Sequence, residues 1–276
     1  MTIKSHLILI VCLSFLIVSC NSRKTEEKLA DQRLSHIVQL INDNSLNTAK
    51  IQIDSVHLLF PRLVAKRKIA ASYSDTIIRR ESAHTLAYCD SILPIKQHEL
   101  DSIQKNFRFE KNAKYQAIGN YVYKTQITES NSNRTYLKTY VDENSDFYLI
   151  SNYCGAKIEH TSVEVSANDL FANSDIIPIS DAANHSFNDA GMHWEAVTFK
   201  NKADNGVAAF ITQNSNLQIK VTLHGKKAIS YYLANTDKKA IVETFNLWIV
   251  KKDVSKLQTE IKKATIKIER IRGRQK

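Results

Sequence analysis

The stretch LWIVKKDVSKLQTEIKKATIKIERI, residues 247–271, decides how this chain is organised. Leu247, Val250, Val254, Leu257, Ile261, Ala264, Ile268 and Ile271 fall at alternating steps of three and four residues, which places them on one stripe of an α-helix. A stripe of that length has to be covered. The nearest cover within the chain is a second long helix, and the spacing predicts one running from Asp54, as N-cap, through Val56, Leu59, Leu63, Ala70, Tyr73, Ile77, His84 and Tyr88 to about Leu93. The two helices are expected to pair antiparallel as a helical hairpin, a coiled-coil stalk. Self-association of the seam between chains is the alternative.

Further toward the N-terminus, Leu29, Leu34, Ile37, Val38 and Ile41 recur at helical spacing, and Asn42 to Asn47 reads as a turn. Pro61 marks a kink or a first turn, and Pro94 ends or bends the second helix. Leu100, Ile103 and Phe107 continue on a further short helix. Residues 29–114 thus read as an N-terminal helical region, and residues 236–276 as a basic C-terminal helix packed on it.

Between these helical arms the period changes. From 115 to 235 the chain shows short runs rich in β-branched and aromatic residues: 121–127, 136–141, 147–153, 158–165, 194–199, 207–212, 217–223 and 229–233. Asn-, Asp- and Ser-rich links separate them. The expected fold class is α+β, with an inserted, mostly antiparallel eight-stranded sandwich or open barrel. The longest link, Ala167 to Ser186, is long enough for a functional loop.

The N-terminus carries a different signal. Lys4 is followed by an apolar run from Leu7 to Val18 and then by Ile17-Val18-Ser19-Cys20. This is the layout of a secretory signal peptide. The run is too short for a membrane-spanning helix, which needs ~20 apolar residues. The order of an aliphatic residue, a small residue and then cysteine resembles the lipobox of bacterial lipoproteins. The resemblance covers residues 1–20 alone, and the remainder of the chain resembles no family recognised from its residues. It implies removal of 1–19, acylation of Cys20, a lipidated tether over 20–28, and anchoring in the bacterial cell envelope, in the outer membrane rather than the inner. Glu26-Glu27 resembles an export signal only loosely, and the leaflet stays open.

An apolar fraction of 43% indicates a folded protein. In an oxidising compartment the two remaining cysteines, Cys89 and Cys154, are candidates for a disulfide, with small buried hydrophobes as the alternative. The formal charge of +10 is concentrated at one end: residues 238–276 hold twelve Lys or Arg against Glu243, Asp253, Glu260 and Glu269. Lys251, Lys252, Lys256, Lys262, Lys263, Lys267, Arg270 and Arg272 are therefore candidates for contact with an anionic surface. Export and the lack of a binding motif argue against nucleic acid.

His185, His193 and Glu195 form the densest group of metal-ligand types, since His193 and Glu195 share a strand face. His160 and His224, in register with polar residues, are expected at the surface. The many tyrosines of the β region suit sugar stacking or packing alike. There is no nucleophile elbow, phosphate-cradling glycine loop or zinc-helix motif, and only six glycines, so no cofactor is expected. The expectation is a lipid-anchored envelope protein that displays a β domain and binds a protein or glycan without catalysis. The alternative is a hydrolase or metal-dependent enzyme acting on envelope polymers.

Overall fold

A computed structural model describes residues 3–112, 114, 116–127, 131, 133–189 and 191–274, with side chains from Arg23 onward except at Asp189. The expected signal peptide and Cys20 lie outside the described side chains. Among the described residues there are five α-helices and two antiparallel sheets, with helices at both ends, an α+β architecture. No helix among them is long and apolar enough to cross a membrane. The chain divides into two compact units, Met1–Asp90 with Thr259–Lys276, and Ser91–Gln258.

The first unit is helical. Helix α1 (Ile3–Asn42) buries Ala30, Leu34, Ile37 and Ile41, and α2 (Leu46–Leu59) buries Ala49, Ile53 and Val56. Both sets step by three and four, so each helix turns one stripe inward. Ala70 and Ile77 of α3 (Val64–Gln104) complete this core. Each fully buried large aliphatic contributes about 1.5–3 kcal/mol. Phe60 and Leu63 fill the turn between α2 and α3.

Three helix boundaries differ from those expected. The second helix begins at Leu46, not Asp54, because Ala49 already belongs to its buried stripe. Pro61 falls in the turn between α2 and α3. Helix α3 runs through Pro94 without ending. The proline forfeits one intrahelical bond, while Leu93, Leu100 and Ile103 keep that stretch packed in a hydrophobic cluster with Leu247, Val250 and Val254 of α5 (Asn235–Arg274).

Among the described residues the second unit holds ten strands. β1 (Phe107–Glu110), β2 (Asn120–Tyr123), β3 (Tyr136–Asp142), β4 (Phe147–Gly155), β7 (Asn184–Asp189) and β8 (Met192–Phe199) form a six-stranded sheet in the order β1-β2-β3-β4-β8-β7. β5 (Ser162–Ala167), β6 (Leu170–Asn173), β9 (Lys220–His224) and β10 (Ile229–Tyr232) form a four-stranded sheet in the order β10-β9-β5-β6. Buried residues of both sheets share one hydrophobic cluster with α4 (Val207–Gln213) and Ile241 of α5. β5 shows the period of two, with Val163, Val165 and Ala167 inward.

Ten strands replace the expected eight for local reasons. Phe107 lies on β1 rather than a helix, opposite Tyr123, with ring centroids 5.4 Å apart. The link expected from 167 to 186 contains β6 and the start of β7. Residues 207–212 are helical: Val207, Ala208 and Ile211 are buried at helical spacing, and the Ala208 N–H points at Asp204 Oδ2, 3.4 Å away.

Candidate functional site

The second unit contains a pocket of about 480 Å³ whose lining includes Phe147, Phe245 and Trp248. Phe147 opens β4. Phe245, Trp248 and Lys252 lie at i, i+3 and i+7 of α5 and therefore on one helix face. The Phe245 and Trp248 centroids are 5.3 Å apart, and Phe147 lies 6.0 and 5.8 Å from them. The three rings form an apolar floor.

The rim is polar. Asp146 Oδ1 sits 3.7 Å from Lys252 Nζ. Opposite them runs the segment from Asn201 to Gly206, which links β8 to α4. Asn201, Lys202, Asn205 and Gly206 adopt left-handed φ values of 55°, 71°, 45° and 87°. Such a conformation is uncommon for a lysine, and backbone strain of this kind gathers at ligand-binding segments. The segment is held in shape by Asn205 Nδ2 donating to the Asn173 carbonyl at 3.1 Å and by the Asp175 N–H donating to the Ala203 carbonyl at 2.8 Å. Burial pushes the Asp204 carboxyl above its ordinary pKa, with a smaller push from Asp175, against hydrogen bonds from backbone N–H groups including that of Ala208. The pocket thus presents three clustered rings, packed edge-on and tilted, beside carboxylates, amides and ammonium groups, which suits a ligand with apolar faces and polar edges.

A second polar cluster lies within the β region. Glu195 Oε1 accepts the N–H groups of Ile158 and Glu159, and Oε2 accepts that of His160, each at 2.8 Å. His160 Nδ1 reaches Oε2 at 2.8 Å, and His160 Nε2 lies 3.1 Å from Ser151 Oγ. Burial favours raising the Glu195 pKa; the hydrogen bonds from His160, Glu159 and Ile158 outweigh it and hold the carboxyl below its ordinary range. Burial lowers the His160 pKa despite the neighbouring carboxylate. An ionised Glu195 beside neutral His160 fixes the tautomer, with Nδ1–H donating to Glu195 and Nε2 accepting from Ser151. The order matches nucleophile, base and orienting carboxylate, but all three side chains are buried, and none lines the pocket. His160, expected at the surface, is fully buried, because its ring completes this cluster.

The structure does not bring the metal-ligand trio together. Glu195 is buried and His193 Nε2 lies 3.3 Å from its Oε1, yet that nitrogen makes no hydrogen bond. His185 is exposed on β7 opposite Ala196, so it occupies the other sheet face. Among the described residues no group of three His, Cys, Asp or Glu side chains is placed to hold a metal ion.

Cys89 and Cys154 are free thiols, not a disulfide: Cys89 is buried on α3, and Cys154 Sγ lies 3.6 Å from Met192 Sδ. Of the eight basic candidates, Lys251 stands 4.5 Å over the Tyr121 ring and Lys252 faces Asp146. Lys256, Lys262, Lys263, Lys267, Arg270 and Arg272 are exposed.

The pocket residues escaped the sequence reading, although the Asn-Lys-Ala-Asp-Asn-Gly run at 201–206 and the aromatic i, i+3 pair at 245 and 248 were visible signals. No protein-family model, curated protein or solved structure matches the chain.

Proposed function

We propose that this chain is a lipid-anchored protein of a bacterial cell envelope, held through Cys20 in the outer membrane, whose β unit binds a saccharide without catalysis. The observation that carries the binding role is the floor of Phe147, Phe245 and Trp248 beneath the polar rim of Asp146, Asp204 and Asn205. Sugar rings offer C–H faces that stack on aromatics and hydroxyls that bond to carboxylates and amides. The anchor rests on the sequence pattern that ends at Cys20.

A helical stalk fits the ion pairs of α3 with α5. In the first unit Arg274 Nη2 lies 3.3 Å from Asp75 Oδ1, and in the second Lys96 Nζ lies 3.2 Å from Asp253 Oδ2.

The hydrolase alternative would draw on Ser151, His160 and Glu195, which substrate cannot reach while they are buried. We favour binding.

Trp194 and Trp248 are the two tryptophans of the chain, so intrinsic fluorescence reads the pocket directly. Titration of the full chain in neutral detergent with envelope-derived and plant oligosaccharides is expected to change Trp248 emission. The change should persist in Trp194→Phe and disappear in Trp248→Phe. A saccharide panel that leaves emission of the Trp194→Phe protein unaltered overturns the proposal.

A further inference from the structure

The last part of α5 lines a groove of about 820 Å³ that lies wholly within the first unit. Lys263, Lys267, Arg270 and Arg274 come from α5, Lys50 from α2 and Arg80 from α3. The four α5 residues step by four, three and four, so they share one helix face. At ~1.5 Å per residue they form a line of roughly 16 Å.

Several of these cations already hold an oxygen. Lys50 Nζ contacts both oxygens of Glu81, at 2.7 and 2.9 Å, and Lys263 Nζ contacts Glu260 at 2.9 Å. Arg80 Nη1 donates to the Ile41 carbonyl at 2.5 Å, and Arg274 pairs with Asp75. Lys267 and Arg270 have no such partner among the described residues, and both are exposed. Six cations around one concavity, with only two carboxylates in its lining, repel one another and raise the local potential.

We propose that this groove binds a linear polyanion built of repeating phosphate groups. A single phosphate would engage two of these residues, whereas the α5 line offers four in sequence. Arginine forks match phosphate oxygens in bidentate fashion, and Arg270 is uncommitted. Lys50 and Lys263 can exchange their exposed carboxylates for phosphate oxygens at little cost, since exposed ion pairs are worth about 0–1 kcal/mol. A groove with four cations in line along α5 fits a chain laid along that helix better than a flat membrane surface. This site is independent of the saccharide pocket, which is lined by residues of the second unit alone.

The test is calorimetric titration of the full chain, in nonionic detergent at low salt, with inorganic polyphosphate, orthophosphate, poly-glutamate and phosphatidylglycerol-doped micelles. Polyphosphate is expected to bind most tightly, and more weakly as salt rises. The double variant Lys267→Gln/Arg270→Gln should lose about tenfold or more in affinity, as expected for losing charge-assisted bonds. The control Lys256→Gln/Lys262→Gln, exposed on α5 but outside the groove lining, should bind as the parent does. All four positions are solvent-exposed, so unchanged melting temperatures verify folding. Equal loss in both variants, equal binding of poly-glutamate, binding of doped micelles in place of polyphosphate, or no binding at low salt would each overturn the proposal. Trp248→Phe should leave this binding intact.

Discussion

His160 Nδ1 and Glu195 Oε2 meet at 2.8 Å with side-chain exposures of 0% and 3%, a sealed contact between β8 and the segment leading into β5. Both groups have folded pKa values below their ordinary ones. At these two sites the unfolded state therefore binds more protons than the folded state, and their contribution to stability rises with pH across both titrations. His160 contributes stability that is fully present above pH 6.5 and is lost as pH falls below it. Glu195 contributes stability present above 4.5 and lost below it. Urea midpoints should decline from pH 7 to 5 and fall more steeply below 4.5. His160→Gln should be less stable at pH 7 and should flatten the first decline. An unchanged slope in that variant would show that another group governs it.

Glu195→Gln keeps the shape of the side chain but replaces one acceptor with a donor, which then confronts either the His160 imidazole or backbone N–H groups. A buried donor left unmatched costs about 1–3 kcal/mol. The expected outcome is a lower melting temperature for the second unit, read by near-ultraviolet circular dichroism. A neutral effect would mean that the cluster repacks freely.

Ser151 stands within hydrogen-bond reach of a histidine that is itself held by a carboxylate, yet all three are buried. A fluorophosphonate probe incubated with the native full chain should leave Ser151 unmodified by mass spectrometry. Stoichiometric labelling there would revive the hydrolase reading.

How much of this was legible in the sequence depends on where each contact partner lies along the chain. The α5 stripe was legible because Leu247, Val250, Val254, Ala264 and Ile271 are periodic and all are buried. The β-branched runs of β3, β4, β8 and β9 were legible for the same local reason. β7 was not: NHSFND reads as turn residues, and as an edge strand with Phe187 stacked on Trp194 it carries no inward apolar row of its own. α4 misled because Val-Ala-Ala-Phe-Ile-Thr suits a strand, and the Gly206 N-cap that starts the helix, with Asp204 facing the Ala208 N–H, lies outside that run. His160 sits between Glu159 and Thr161, so local polarity pointed outward. Its partner Glu195 is 35 residues away. The pocket floor likewise joins Phe147 to Phe245 and Trp248 across the topology of the unit, which no local pattern encodes.

Cys89 and Cys154 should count as two free thiols when the denatured, unreduced protein is alkylated and its peptides are weighed. In the native state Cys154, partly open, should react well before Cys89, which is 2% exposed. A linked Cys89–Cys154 peptide would contradict the structure.

Arg134 grips Asp237 with two nitrogens, at 2.6 and 2.7 Å, and the Asp237 side chain is only 4% exposed in the first turn of α5. Gln126 Nε2 adds a longer contact at 3.3 Å. Removing one member of a buried pair strands the other and costs about 3–5 kcal/mol. Arg134 is partly open to solvent, which places Arg134→Met at the low end of that range. The double variant Arg134→Met/Asp237→Asn should lose less than the sum of its singles, because no charge remains stranded. Strict additivity in chemical denaturation would show the pair to be uncoupled.

Asp204 connects stability to the proposed pocket. Its folded pKa is raised, chiefly by burial, so its sign is opposite to that of Glu195. The contribution is present below the unfolded value of 3.8 and is lost as pH rises through the folded pKa. At neutral pH the ionised, half-buried carboxylate is a net burden on the fold. Asp204→Asn removes the charge while its amide oxygen can still accept the Ala208 N–H that begins α4. The variant should be more stable than the parent at pH 7 in urea titration, and the gain should shrink as the solution is acidified. If Asp204 is kept charged to hold a sugar hydroxyl, the same substitution should weaken saccharide binding even as it raises the midpoint, the exchange of stability for function expected of a binding residue. A variant less stable at pH 7 would show that the backbone N–H groups held by the carboxylate outweigh the cost of its burial.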